Sequence, residues 1–159
     1  EMDVTPDHVI SCCGAGGLIA GVSLAIQSEL PTTKIWAAEP ADFDDTIRSL
    51  ASGSIETVDP AARSICDAVV TPAPGEMTFA INRTTLAGGF GVSDDLVLRV
   101  MATAFKHLKL VIEPGGAVAL AAALDRRLPA DTACAVAVAS GGNVDAEMFT
   151  RALQAGPLI

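Results

Sequence analysis

The most constraining feature of the sequence is a glycine-rich turn between two apolar segments of different periodicity. His8 to Cys13 is a short β-prone run that predicts a buried strand, and Gly14-Ala15-Gly16-Gly17 follows it at once. Leu18 to Leu30 carries apolar residues at helical spacing until Pro31 ends the helix. Lys34 to Ala38 predicts a second buried strand. Because a strand-helix-strand unit requires parallel strands, we expect an α/β fold, an open parallel twisted sheet with helices on both faces.

The composition agrees with this fold class and limits the classes of partner that the chain can bind. Of 159 residues, 50% are hydrophobic and only 4% aromatic, so the apolar content is aliphatic, as in buried strands and their covering helices. The length fits one domain. A net charge of −9 without a Lys/Arg cluster argues against nucleic acid and anionic membranes as partners. No apolar run reaches the roughly 18 residues of a membrane span, so we expect a soluble, cytoplasmic protein.

The start of the sequence and its cysteines give two further expectations. The first residue is Glu1 and no signal-peptide pattern follows, so we expect the chain to begin inside a longer protein. The four cysteines, Cys12, Cys13, Cys66 and Cys134, show no Cys-x-x-Cys spacing. They are expected to be reduced thiols in core positions rather than a zinc site.

The remaining segments predict further elements around the sheet. A short helix is expected over Asp42 to Leu50, and an irregular stretch with one short strand over Thr57 to Gly75. Ser93 is expected to cap a helix whose apolar stripe runs from Val97 to Leu108. The end of the chain predicts a helix opened by Pro114, a strand over Cys134 to Ala139 and a closing helix over Asp145 to Leu153.

The glycine-rich turn is the strongest chemical signal. Glycines let backbone N–H groups approach an anion closely, and the following helix adds the partial positive charge of its N-terminus, so a phosphate is the natural ligand. The turn is not a dinucleotide fingerprint, because the third glycine of that pattern would fall at Ile19, and no Gly-Lys-Ser/Thr follows to make it a P-loop. Alone, the motif is equally compatible with a tight turn that binds nothing.

Two other segments support a ligand site. Ser140-Gly141-Gly142-Asn143 follows the last predicted strand, at the sheet edge where open α/β sheets bind ligands, and its serine can hydrogen-bond a ring nitrogen or a carbonyl. The alternative is a plain strand-to-helix turn. Glu113 stands at a helix start, where capping is the simpler interpretation. Since both strand ends belong to one sheet, we expect the two turns to face the same crevice.

Taken in order, these segments resemble the carboxyl-terminal half of the fold type II pyridoxal-phosphate enzymes of the serine/threonine dehydratase and serine racemase family. The resemblance covers nearly the whole chain and implies the large-domain lobe of a tryptophan-synthase-β-like fold. Its seven segments are the glycine-rich turn with Leu18-Ile19-Ala20-Gly21, Ala37-Ala38-Glu39-Pro40, Ile65-Cys66-Asp67-Ala68, Pro74-Gly75-Glu76-Met77-Thr78-Phe79, Val92-Ser93-Asp94-Asp95, residues 109–117 and residues 140–145.

The resemblance implies roles toward the cofactor pyridoxal phosphate. Ser140 matches the family serine beside the pyridine nitrogen, where a neutral hydroxyl leaves the nitrogen largely unprotonated. Glu113 matches a family glutamate near the ring, and Ala68 replaces a glycine at the cofactor edge. Ala15 departs from an all-glycine loop, and its methyl group is tolerable only if its φ is not positive. The main-chain amides implied to hold the phosphate are those of Gly14, Ala15, Gly16, Gly17 and Leu18.

The family also implies a divalent metal site beside the active site. Its ligands match the carboxylates of Glu39 and Asp45 and the main-chain carbonyl of Phe43. Hard oxygen ligands suit Mg²⁺ or Ca²⁺. The alternative is that Asp42, Asp44 and Asp45 only favour a helix N-terminus while Glu39 is solvated.

The lysine that forms the Schiff base with pyridoxal phosphate has no counterpart here. The only lysines are Lys34, Lys106 and Lys109, and none lies in a segment like the family's Ser-Phe-Lys motif. The family residues that clamp the substrate carboxylate also belong to its amino-terminal half. We therefore expect an inactive fragment without the small domain and the lysine segment, with an apolar face that self-associates or retains the missing half.

For the intact protein, the resemblance implies deamination of L-threonine or L-serine to a 2-oxo acid and ammonia, within amino-acid metabolism and in a homo-oligomer. The chain ends soon after Asn143, so no carboxyl-terminal regulatory domain is expected. A serine racemase or 3-hydroxyaspartate dehydratase fragment is the alternative within the family, because substrate choice rests partly on the missing half. A non-catalytic module that binds another phosphate ligand is the alternative from a different class.

Overall fold

The four strands of the sheet are all parallel, as the sequence predicts. A computed structural model describes residues 4–158. The strands are β1 (His8–Cys12), β2 (Lys34–Pro40), β3 (Gly88–Val92) and β4 (Ala135–Ala137). They lie in the order β3-β2-β1-β4 in the sheet. The helices are α1 (Gly17–Glu29), α2 (Asp45–Ser52), α3 (Glu76–Thr85), α4 (Asp94–Thr103), α5 (Pro114–Leu124) and α6 (Ala146–Ala155). Within residues 4–158, no helix is long and apolar enough to cross a membrane.

The strand order reverses at β1, and this reversal positions the site. The chain adds β2 and β3 on one side of β1 and later returns to place β4 on its other side. In open α/β sheets such a reversal leaves a crevice beyond the carboxyl ends of the two strands that flank it. The glycine-rich turn follows β1 and the segment 140–143 comes after β4, so both lie at this crevice.

Helices cover both faces of the sheet because successive strand residues point to opposite sides. On one face, Ile10 and Cys12 of β1 pack with buried residues of α4 and α5 and with Ala152 of α6. On the other face, Val9 and Cys13 pack with Ile19 of α1. All four cysteines are free, and all but Cys134 are buried.

α4 begins as predicted but ends before the expected apolar stripe does. The Ser93 hydroxyl caps it by accepting the Leu96 N–H at 3.3 Å. A wider π-helical turn over Ala104–Leu108 follows and ends at Lys109, whose φ of 60° is left-handed. The change of period turns the end of the stripe outward, so Phe105 and Leu108 are exposed and their predicted burial is wrong.

Four segments differ from the sequence expectations. Between residues 57 and 75 no strand forms, and a 3-10 turn over Asp67–Val69 takes its place. α3 was not predicted, and neither was β3, whose glycines have low strand propensity. β3 needs those glycines, because a Cβ on Gly89 would lie 2.7 Å from Cγ1 of Ile47. β4 is also shorter than the predicted strand over Cys134 to Ala139.

Large apolar side chains remain exposed on the described surface. Met77 is 81% exposed, and Leu18, Leu110 and Val111 are between 45% and 49% exposed. The expected self-association, or retention of a missing half through such side chains, stays a prediction.

Candidate active site

A cleft of about 270 Å³ opens at the carboxyl ends of β1 and β4. It brings together three parts of the sequence that were predicted separately, namely the glycine-rich turn, Glu113 and Ser140. The residues that line the cleft are Cys12, Cys13, Gly14, Ala15, Gly16, Gly17, Leu18, Ala68, Val69, Glu113, Gly115 and Ser140.

The glycine-rich turn contributes backbone N–H groups that are free of helix hydrogen bonds. Gly16 stands at the N-cap of α1 with a left-handed φ of 92°, and its carbonyl accepts the Ala20 N–H at 3.0 Å. The N–H groups of Gly17, Leu18 and Ile19 precede that bond and have no acceptor within the helix. The first turn carries no acidic residue and no side chain caps it. This end of the cleft is therefore suited to an anion.

The alanine in the turn is accommodated without strain. Among the described residues other than glycine, only Lys109 and Arg126 have positive φ, so Ala15 meets the condition stated from the sequence. Gly14 allows the backbone of Val69 to approach the turn closely, since a Cβ on residue 14 would lie 3.1 Å from the Val69 Cα. A Cβ on Gly17, in contrast, would meet no atom within 4 Å, so the space beside Gly17 is open.

Ser140 lines the same cleft as the turn and contacts the end of β1. Its hydroxyl oxygen is 3.2 Å from the Sγ of Cys12, a neighbour that the sequence interpretation treated only as a core thiol. Burial raises the pKa of the Cys12 thiol, while its hydrogen bond with Ser140 lowers that pKa by less. Ser140 itself is exposed, so its hydroxyl is accessible to a ligand in the cleft.

Glu113 fixes the turn that carries Ser140 against the start of α5. Its Oε2 accepts the Asn143 N–H at 2.9 Å, and its own N–H donates to the Gly141 carbonyl at 3.0 Å. Glu113 occupies the N-cap position of α5, as the capping interpretation expects, but its side chain makes no capping bond to the helix and is engaged with the turn instead. A Cβ on Gly141 would overlap the Glu113 carboxylate, which explains why this position is a glycine.

The third wall of the cleft is the 3-10 turn that contains Ala68. A Cβ on Gly115 would lie 2.9 Å from the Cβ of Ala68, so a glycine at 115 makes room for the alanine methyl group. Asp94 holds the segment before this turn, because its carboxylate accepts the Ser64 hydroxyl at 2.6 Å and the Ile65 N–H at 2.9 Å. The start of α4 is thereby tied to the wall of the cleft.

The two carboxylates expected to bind a metal lie where β2 leads into α2. Glu39 is fully buried, and its two oxygens accept the N–H groups of Thr46 at 3.1 Å and Ile47 at 2.9 Å, so the alternative of a solvated Glu39 is wrong. Asp45 is also buried, and its Oδ2 has no hydrogen-bond partner. Burial raises the pKa of Glu39 to about 8 and that of Asp45 to about 6.

Phe43, the third expected ligand, ends a 3-10 turn over Ala41–Phe43 between these two carboxylates. No cluster of three or more His, Cys, Asp or Glu side chains suited to a metal occurs in the part of the chain that the structure describes.

None of the three lysines lines the cleft. Lys34 begins β2, at the end of the sheet opposite to the cleft. Lys106 and Lys109 are exposed beyond α4, where the Lys109 Nζ donates to the Lys106 carbonyl at 2.8 Å. Residues 4–158 therefore supply no lysine amine to the cleft that could form a Schiff base.

Two residues that contact the glycine-rich turn were missed from the sequence. Thr78 and Asn82 of α3 hydrogen-bond to carbonyl groups of the turn. The segment around Thr78 belongs to the resemblance, which implies no role for Thr78 itself. Helical spacing could have indicated the pair, because residues four apart lie on one face of a helix.

Comparisons with known proteins give the following similarities. The family described as "Pyridoxal-phosphate dependent enzyme" matches residues 1–141. Serine racemase of Dictyostelium discoideum is 35% identical over 150 residues, which cover 92% of this chain and 46% of that protein. The beta-hydroxyaspartate dehydratase of Paracoccus denitrificans is 32% identical over 139 residues, 87% of this chain and 44% of that protein. The crystal structure of T.th. threonine deaminase matches with a TM-score of 0.84 and 38% identity, over 89% of this chain and 50% of that one. The chain thus spans about half the length of these relatives.

Proposed function

The chain belongs to the family of pyridoxal-phosphate-dependent enzymes, and on that premise we propose that it is the carboxyl-terminal part of the large domain of a threonine or serine dehydratase. In this reaction the α-proton and the β-hydroxyl leave the amino acid as water. The resulting enamine tautomerises to an imine, which water hydrolyses to a 2-oxo acid and ammonia. The proposal rests on the cleft that joins the glycine-rich turn, Glu113 and Ser140.

The glycine-rich end of the cleft supports pyridoxal phosphate as the ligand. The N–H groups of Gly17 and Leu18 have no helix acceptor, the space beside Gly17 is open, and no carboxylate stands in the first turn of α1. These features suit a phosphate group held by the main-chain amides of Gly14, Ala15, Gly16, Gly17 and Leu18. When bound, the cofactor withdraws electrons from the α-carbon of the amino acid and makes its proton acidic.

Ser140 and Glu113 have different tasks in this proposal. The Ser140 hydroxyl is accessible and would hydrogen-bond the pyridine nitrogen without giving it a full proton, which tempers the electron demand on the α-carbon. Glu113 is already engaged with the Asn143 N–H, so it holds the turn that presents Ser140 and forms the adjacent wall.

We place the Schiff-base lysine in a segment outside this chain. None of its own lysines lines the cleft, and the relatives are about twice as long. The isolated chain is therefore expected to bind pyridoxal phosphate weakly and to show no imine absorbance after dialysis. An imine band that survives dialysis would assign the role to a lysine of this chain.

We also propose a divalent cation, Mg²⁺ or Ca²⁺, at Glu39, Asp45 and the Phe43 carbonyl. The donors fit such an ion, because Asp45 Oδ2 is buried without a hydrogen-bond partner. The fully buried carboxylate of Glu39, near the end of β2, is held close to Asp45 by the N–H groups of Thr46 and Ile47. A bound cation would compensate the burial of both carboxylates and fix the segment between β2 and α2.

Serine racemase is the second candidate, because the D. discoideum relative of that name matches 92% of this chain at 35% identity. The 3-hydroxyaspartate dehydratase alternative is supported in the same way by the P. denitrificans relative. All three activities begin with removal of the α-proton of a small hydroxy amino acid. A cytoplasmic location and a homo-oligomeric state stay predictions.

The test is an assay of the full-length protein with pyridoxal phosphate and each hydroxy amino acid. We expect equal amounts of ammonia and 2-oxo acid from L-threonine or L-serine. Formation of D-serine without ammonia would favour the racemase, and turnover of 3-hydroxyaspartate alone would favour its dehydratase. A full-length protein that neither binds pyridoxal phosphate nor turns over these substrates would refute the proposal.

A further inference from the structure

Two carbonyl groups of the glycine-rich turn are held by α3, which does not line the cleft. The Thr78 hydroxyl oxygen is 2.5 Å from the Ala15 carbonyl oxygen and 3.0 Å from the Gly75 carbonyl oxygen. A hydroxyl has one proton to donate, and the shorter distance favours donation to Ala15. The Gly75 N–H donates to the same Ala15 carbonyl at 3.1 Å. One turn further along α3, the Asn82 Nδ2 donates to the Gly16 carbonyl at 3.4 Å.

These contacts determine where the N–H groups of the turn point. A trans peptide unit is planar, with its carbonyl and the next N–H on opposite sides, and no described peptide bond is cis. Holding the Ala15 carbonyl therefore orients the Gly16 N–H. The Gly16 carbonyl accepts both the Asn82 amide and the Ala20 N–H of α1, so α3 and α1 together orient the Gly17 N–H. Both N–H groups are directed away from α3, and both residues line the cleft.

The close fit between α3 and the turn depends on Gly16. A Cβ on Gly16 would lie 2.7 Å from the Asn82 Nδ2 and 3.0 Å from the Thr78 Oγ1, and the residue has positive φ. Asn82 is fully buried although its Oδ1 has no hydrogen-bond partner. Burying an amide with one half unpaired costs free energy, so a purely structural role would be better served by an apolar side chain.

We propose that Thr78 and Asn82 are positioning residues of the phosphate site, which hold the Ala15 and Gly16 carbonyls so that the N–H groups of Gly16 and Gly17 face an anion. The inference rests on the proposed function, because the phosphate of pyridoxal phosphate is the anion concerned. Neither side chain lines the cleft, so both act through the turn.

The test compares Thr78→Val with Thr84→Val in the full-length protein after removal of its cofactor. Thr84 is a matched control, because its hydroxyl donates at 2.8 Å to the carbonyl three residues earlier, as at Thr78, but makes no contact with the turn. Titration calorimetry measures affinities for pyridoxal phosphate, for pyridoxal without the phosphate, and for inorganic phosphate.

For Thr78→Val we expect about tenfold weaker binding of pyridoxal phosphate and of inorganic phosphate, the effect of losing one hydrogen bond, with the pyridoxal affinity unchanged. Thr78→Ser should restore both phosphate affinities, Thr84→Val should change none of the three, and Asn82→Ala should repeat the selective loss.

An equal loss of pyridoxal phosphate and pyridoxal in both Thr78→Val and Asn82→Ala would indicate a general structural role and overturn the inference. Unchanged phosphate affinity in these variants would overturn it too. A wild-type protein that binds none of the three ligands would refute the proposed function, and the inference with it, so the two failures are distinguishable.

Discussion

Gly116 of α5 allows the turn after β4 to pack against the helix, and replacing it by alanine perturbs that contact. A Cβ at this position would lie 2.6 Å from the Gly141 carbonyl oxygen and 2.7 Å from the Gly141 nitrogen, whereas ordinary contacts begin at 3.4 Å. Both atoms belong to the backbone, so no flexible side chain can move aside. The turn itself must shift, and it carries Ser140.

The net effect of Gly116→Ala follows from two opposing contributions. Forcing a methyl group into a packed site costs about 1–3 kcal/mol. Replacing glycine by alanine inside a helix stabilises the folded state by about 0.5–1 kcal/mol. We therefore expect a net loss of about 0–2.5 kcal/mol in the free energy of unfolding, together with about tenfold weaker binding of pyridoxal phosphate as Ser140 moves.

Equilibrium unfolding in urea and a pyridoxal phosphate titration of the full-length protein measure the two effects. Gly21→Ala in α1 is the matched control, because that glycine is exposed and a Cβ there would meet nothing within 4 Å. It should stabilise the protein by about 0.5–1 kcal/mol and leave cofactor binding unchanged. Equal stability and equal affinity of the two variants would refute the described packing of the turn on α5.

Three further changes test other parts of the account. Ser140→Ala should lower the dehydration rate about tenfold, through loss of one hydrogen bond to the ring, and unchanged kinetics would remove Ser140 from the site. Asp45→Asn should leave the metal-free protein as stable or about 1 kcal/mol more stable, and abolish stabilisation by added Mg²⁺ in thermal unfolding; a Mg²⁺ effect that survives would exclude the cation site. Burial raises the pKa of the Cys13 and Cys66 thiols to about 12, so their contribution to stability is complete below pH 9 and is lost as the pH rises toward 12. Urea midpoints should fall over that range, and rapid alkylation of either thiol in the native protein at pH 8 would contradict their burial.

The elements that could be predicted are those set by short-range patterns. β1, the glycine-rich turn and α1 each follow from a change of apolar period within one continuous segment. β3 could not be predicted in this way. Its glycines have low strand propensity, and the strand forms by pairing with β2. Glycines are needed there because the side chains of Trp36 and Ile47 occupy the space beside Gly88 and Gly89.

The same distinction applies to the candidate site. The meeting of the glycine-rich turn and Ser140 was predictable, because parallel strands end at one edge of a sheet. The hydrogen-bond partner of the Glu113 carboxylate was not predictable, because it is the N–H of Asn143, 30 residues away in the chain. The contact of Thr78 with Ala15 joins residues 63 apart and depends on a helix that local patterns did not indicate.

The most direct test of the central claim is the affinity of Gly17→Asp for pyridoxal phosphate in the full-length protein. The space beside Gly17 is open, and an aspartate at the start of a helix is compatible with its dipole, so the variant should fold with unchanged stability. Its carboxylate would stand where the phosphate binds, and repulsion should weaken binding by about 100-fold or more, whereas Gly17→Ala should lose only a few-fold. Binding by Gly17→Asp as tight as in the wild type would contradict the assignment of this turn as the phosphate site.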